Sequence, residues 1–253
     1  MITHMIPLMV FTSFSGAAAG ACIVDAACGS SKACKNPWAF PAVCLLLLAV
    51  GLMGTLAHLG QPLRFMNGLS NPFSMISQEA YWSLGFGAVL AADFLVAKIK
   101  GRAFRAVRIA GAFLAFGLIA VTGLAYFDSL GIPAWSGALT VPLFVAGDVV
   151  LGVAVCTVFA RDDFKGALLV VSVVSAVAFV VVVAGYVLFL ARIGGAYAPA
   201  FVAGAACCAA SAVVAGVAAG RGGASAGTAL SVAGLAALGI VIARCAFFAA
   251  GMI

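Results

Sequence analysis

The chain reads as long apolar runs broken by short clusters of charged and turn-forming residues. The runs lie near 6–27, 38–58, 77–97, 105–127, 138–160, 168–190, 197–219 and 227–250. Each is about 21 to 24 residues, or about 32–36 Å as a helix, long enough to cross the hydrocarbon core of a bilayer. Lipid offers no partner to a free backbone N–H or C=O, so each run must be a helix or part of a closed barrel. The stretch from Ala167 to Leu190 lacks the two-residue alternation of a barrel strand. The pattern therefore predicts an all-α integral membrane protein with eight transmembrane helices. It forms a single polytopic domain over 1–253, with possible halves at 1–130 and 131–253 built as two four-helix bundles. A short internal echo suits such halves: Pro7-Leu8-Met9-Val10 opens the first run and Pro142-Leu143-Phe144-Val145 the fifth. Small residues at Gly16–Gly20 and Gly204–Ala210 would let helix backbones approach closely.

Composition sharpens this picture. The chain is 66% hydrophobic and 8% charged, against about 25% charged for a soluble domain. That excludes an ordinary soluble protein, a disordered chain and a nucleic-acid binder. The formal charge of +6 comes from 13 Lys+Arg and 7 Asp+Glu. Eight spans put both termini on one side. Lys32, Lys35, Lys98, Lys100, Arg102, Arg105, Arg108, Arg161, Lys165 and Arg221 fall on the other side, leaving Arg64, Arg192 and the intramembrane Arg244. The positive-inside rule makes the basic side cytoplasmic and both termini extracytoplasmic. The positive charge is thus a topology signal. Trp38, Trp82, Trp135, Tyr126 and Tyr197 fall near span ends, where interfacial aromatics belong. The first run has no Lys or Arg before it and reads as an uncleaved helix, not a signal peptide.

Metal and cofactor residues are sparse. A bis-histidine haem needs two histidines inside the membrane, and the chain has only His4 near its terminus and His58 at a span end. The eight cysteines lack iron–sulfur spacing and read as small packing residues. Glycine-rich phosphate loops, zinc motifs and Ser-His-Asp patterns are missing. The expectation is no haem, no iron–sulfur cluster and no metal in this chain.

An ionisable residue within a bilayer costs on the order of 2.5–3.5 kcal/mol and needs a partner or a task. The richest stretch joins the second and third spans. It runs from His58 through Gln61, Arg64 and Asn67 to Ser77, Gln78 and Glu79. Arg244 lies about six residues inside the last span, with Phe247 and Phe248 at i+3 and i+4 on its face. All fall in the outer half and would line one pocket with aromatic walls, titratable groups and a lipid-side entrance. Such a pocket suits a quinol, with His58 accepting a proton near neutral pH and Glu79 taking the second or orienting the imidazole. Each residue also has a plainer reading. His58 would be an interfacial hydrogen-bonder, Glu79 a helix N-terminal carboxylate, Arg244 one half of an ion pair, and the phenylalanines core. Asp25 and Asp93 read as structural or solvated. Asp148 reads equally as a proton path or a buried pair.

Three stretches carry a resemblance to a known family: Pro7-Leu8-Met9-Val10-Phe11-Thr12, His58-Leu59-Gly60-Gln61-Pro62-Leu63-Arg64 running on to Ser77-Gln78-Glu79-Ala80, and Ala243-Arg244-Cys245-Ala246-Phe247-Phe248. Tyr126 followed by Pro133-Ala134-Trp135 adds to them. The chain resembles the membrane anchor subunit of dimethyl sulfoxide reductase, the DmsC family. The resemblance implies an eight-helix anchor in the bacterial cytoplasmic membrane that oxidises menaquinol. Electrons would pass to a four-cluster, ferredoxin-like iron–sulfur subunit and then to a molybdopterin catalytic subunit. It also implies that His58 and Glu79 serve quinol binding. The family's Phe-Tyr pair near the C-terminus is Phe247-Phe248 here. Two alternatives stand beside this reading: a quinone-reactive anchor of NrfD or polysulfide-reductase type, and a small-solute transporter using Asp148.

Overall fold

A computed structural model of the protein describes residues 5–29, 31, 36–58, 69–160 and 162–252. Among the described residues eight helices follow in chain order: α1 (Ile6–Cys28), α2 (Ala39–His58), α3 (Met75–Lys100), α4 (Arg105–Phe127), α5 (Thr140–Phe159), α6 (Asp162–Arg192), α7 (Ala198–Gly220) and α8 (Ala226–Ala250). All eight are long and apolar enough to cross a membrane, and no strand occurs among the described residues. The eight-span, all-α reading holds. The helices α3 and α6 outrun their apolar runs, because a helix can continue past the hydrocarbon into the headgroup layer as long as its backbone bonds stay internal.

Local chemistry sets the ends. Pro7 occupies the first turn of α1, where its missing N–H costs no helical bond. Gly29 stops that helix in the left-handed conformation (φ 66°) and donates its N–H to the Asp25 carbonyl at 2.7 Å. Ser225 caps α8 by accepting from the Thr228 N–H at 3.2 Å.

The helices pack as two closed rings. In the first, α1 packs on α2, α2 on α3, α3 on α4 and α4 on α1; α5 to α8 repeat this arrangement. The rings meet where α1 and α4 lie on α5 and α1 touches α8. Helices adjacent in sequence run antiparallel, so the start of α1 and the end of α8 lie at one end of the bundle, called here the termini end. At the central seam α1 and α5 run parallel. Gly16 and Gly20 of α1 lie directly on Asp148 and Gly152 of α5, and a Cβ on any of these glycines would run into the facing helix. In lipid there is little hydrophobic force between helices, so close backbone packing of this kind supplies much of the cohesion. The seam between α7 and α8 repeats the device, with Gly204 against the Gly239 carbonyl and Gly239 against Cys208.

Candidate functional site

The termini end of the bundle holds an aromatic cluster centred on Tyr126 of α4. Its ring stacks on Phe144 of α5 at 5.1 Å. It meets Trp135, Phe247 and Phe248 edge-on at 5.3, 5.5 and 5.4 Å. Pairs of this geometry contribute about 0.5–1.5 kcal/mol each beyond the area they bury. Trp135 stands in the α4–α5 connection and points inward. Its indole N–H donates to the Phe247 carbonyl at 2.9 Å, and its ring stacks on Phe247 at 5.7 Å. The loop is pinned to hold it there: the Thr140 hydroxyl donates to the Trp135 carbonyl, and the Tyr186 hydroxyl to that of Ala134, each at 2.5 Å. Trp135 and Tyr126 were expected at the lipid interface; both are buried. Sequence places an aromatic at the right depth but cannot say whether it turns toward lipid or core.

Below this cluster Arg244 reaches from α8 to Asp148 of α5, with Nη2 2.6 Å from Oδ1. Its guanidinium also lies over the Phe144 ring, 3.7 Å from the centroid. Both charged side chains are buried. Each charge offsets the other in a medium that would otherwise penalise both. The question left open for Asp148 is thus answered by a buried pair, and the support it lent to a transporter falls away. A cavity of about 10 Å³ borders Arg244 and Phe247, room for one water at most.

On the first ring the geometry differs. Glu79 lies one turn into α3 and is only partly buried. The Thr122 hydroxyl on α4 is its hydrogen-bonding partner. Thr122 and Tyr126 are four residues apart and share a helix face. The Tyr126 phenol lies in the fields of both the Glu79 carboxylate and the Arg244 guanidinium. No cation pairs with Glu79 among the described residues. The start of α3 also fastens the preceding loop. Gln78 Nε2 donates to the Pro72 carbonyl at 2.6 Å and the Tyr81 hydroxyl to that of Leu69 at 2.5 Å.

At the opposite end Arg108 of α4 serves two carboxylates. Its Nη1 lies 2.5 Å from Asp25 Oδ2, and its Nε lies 3.3 Å from Asp93 Oδ2. Asp25 also accepts from the Ser31 N–H at 2.6 Å. By its sequence position Arg108 counts among the charges of the cytoplasmic side. It sits in the first turns of α4, turned inward, and all three side chains are buried.

The residues expected to form one pocket thus divide. Glu79 and the buried Ser77 head α3 at the termini end. His58 ends α2 at that same end, but its side chain lies outside the described residues, as do Gln61 and Arg64 altogether. Among the described residues Arg244, Phe247 and Phe248 do not face an open cavity. They form the closed wall behind Tyr126, because Asp148 engages the arginine and the aromatic cluster encloses both rings. Sequence reasoning missed Thr122, and it treated Tyr126 as an interfacial ring. The available signal was the i, i+4 spacing of two polar-tipped side chains on an otherwise apolar helix.

No curated protein matches the chain. The profile of the DMSO reductase anchor subunit family matches residues 1–214, which takes in α1 to nearly the end of α7 and the whole Glu79–Thr122–Tyr126 group, and leaves α8 with Arg244 beyond it. With most of its length matched and eight spans in place, the chain belongs to the DmsC family of DMSO reductase anchor subunits.

Proposed function

We propose that this protein is the quinol-oxidising membrane subunit of a DMSO-reductase-type complex in the bacterial cytoplasmic membrane, its termini end facing outward. The reading rests on family membership, and on one observation above all. Asp25, Asp93 and Asp148 are each held by a guanidinium, whereas among the described residues Glu79 has only a hydroxyl. A carboxylate paired with a buried guanidinium is committed to that ion pair. Glu79 is free to take up and release a proton, and it sits partly open at the end where the loop from His58 arrives.

The substrate is a lipid-soluble quinol, which gives up two electrons and two protons on oxidation. Glu79 would take one proton and His58 the other, and both would leave toward the termini end. Thr122 orients the carboxylate. Tyr126 backs the site with an aromatic edge, held in place by Phe144, Trp135 and the α8 phenylalanines. The electrons pass to a four-cluster iron–sulfur subunit seated over the 59–76 loop, where Phe73 stands exposed. That subunit serves a molybdopterin catalytic subunit. Menaquinol fits the reading, and the chain itself supplies proton acceptors and walls. The test is His58→Ala and Glu79→Gln in the assembled complex. Both should lower quinol-dependent turnover while activity with a soluble artificial donor survives. Unchanged quinol kinetics in both variants would overturn the proposal.

A further inference from the structure

We infer that the α3–α4 turn, at the end opposite the termini, is a binding site for the headgroup of an anionic phospholipid. Lys98, Lys100, Arg102 and Arg105 fall within eight residues there, and all four are exposed. No acidic side chain pairs with them among the described residues. Two are pre-positioned on rings: Lys98 Nζ stands 4.3 Å from the centroid of Trp38, and the Arg102 guanidinium 4.7 Å from that of Phe104. A cation already held in place loses less side-chain freedom on binding. Beside them a cleft of about 250 Å³ runs between Ala103, Arg105 and the end of α1 at Ala26–Gly29. Its floor is Asp25 and Arg108, and the Asp25 carboxylate is already paired with that arginine.

A free phosphate would use only these cations. A phospholipid would also use what lies beneath them. Ile99 is 75% exposed, and Leu95, Ile109 and Phe113 are each at least half exposed. Arg105, Ile109 and Phe113 are spaced by four and share one face of α4. Cations at headgroup depth above an apolar strip form the shape of a lipid site, and basic pockets between helices on the cytoplasmic side bind anionic headgroups. The positive-inside rule accounts for the sign of the charge at this end. It does not account for four unpaired cations gathered on one turn, while the α7–α8 turn at the same end carries Arg221. The inference is independent of the quinol reading.

The test uses the purified full-length protein in detergent, with lipid retention followed by native mass spectrometry and the unfolding midpoint by thermal shift. Phosphatidylglycerol, phosphatidylcholine with the same acyl chains, and inorganic phosphate are added separately. Phosphatidylglycerol should be retained and raise the midpoint; the other two should do neither. Each cation near an anionic surface strengthens attachment about fivefold. Arg105→Gln should therefore weaken phosphatidylglycerol binding about fivefold, and the Arg102→Gln/Arg105→Gln pair about 25-fold. Arg221→Gln should leave it essentially unchanged. These side chains are exposed, so the variants keep the fold, and the lipid comparison on the unaltered protein stands without them. Equal retention of phosphatidylcholine, an equal shift with inorganic phosphate, or an equal loss in Arg221→Gln would overturn the inference.

Discussion

In their termini halves the two rings treat their carboxylates differently. In the second ring Asp148 and Arg244 form a one-to-one pair, sealed by the Phe144 ring on one side and by Gly16 of α1 on the other. In the first ring, at the same end, Glu79 meets a hydroxyl and stays partly open. Tyr126 joins the two, stacked on the ring that covers Arg244 and lying in the field of Glu79. The lesson concerns what burial does to an acid. Paired with a guanidinium, it becomes a fastening between helices. Paired with a neutral donor at an open edge, it remains able to exchange a proton.

The largest expected effect breaks the fastening. Arg244→Ala strands the Asp148 carboxylate and should cost about 3–5 kcal/mol, seen as a lower unfolding midpoint and lower yield in the membrane. Replacing both partners, Asp148→Leu with Arg244→Met, should recover most of the loss. An unchanged midpoint in the single variant would mean that the pair holds nothing together. The next effect falls on the open acid. Glu79→Gln should lower quinol-dependent turnover about a hundredfold, the scale of a lost general base. Its stability should shift by less than about 1 kcal/mol, since the amide can still accept from Thr122. A large stability loss would assign Glu79 to the same class as Asp148. Gly20→Val should cost about 1–3 kcal/mol by forcing α1 off α5, measured by thermal unfolding. Smallest is Trp135→Phe, which keeps the stacking and loses the indole hydrogen bond. It should cost about 1 kcal/mol, and a neutral result would show the loop to be held by Thr140 and Tyr186 alone.

Much of this was legible in the sequence, and the limit has a physical cause. The spans could be read because a lipid-crossing helix must be long, apolar and continuous, and those demands are local. Gly16 and Gly20 marked a close helix contact for the same reason. The pairing of charges was not legible. Arg108 finds Asp25 across 83 positions and Arg244 finds Asp148 across 96, and nothing within either helix names its partner. Arg108 therefore read only as a charge of the cytoplasmic side. Arg244 was given both a pocket and a pairing as possible fates, and helix packing decided between them. Glu79 stood out in the sequence as an acid beside a polar loop. Its distinguishing property, that no described guanidinium pairs with it, emerges only once Arg108 and Arg244 have been assigned.

The most direct test of the account asks where a quinone sits. Membranes holding the assembled complex are illuminated with a photoreactive menaquinone analogue, and the labelled peptides are identified by mass spectrometry. Adducts are expected on the termini-end turns of α3 and α4, within Met75–Ser83 and Thr122–Asp128, competed by excess menaquinone and reduced in Glu79→Gln. Competed labelling concentrated on α5 to α8 and unaffected by Glu79→Gln would contradict this placement.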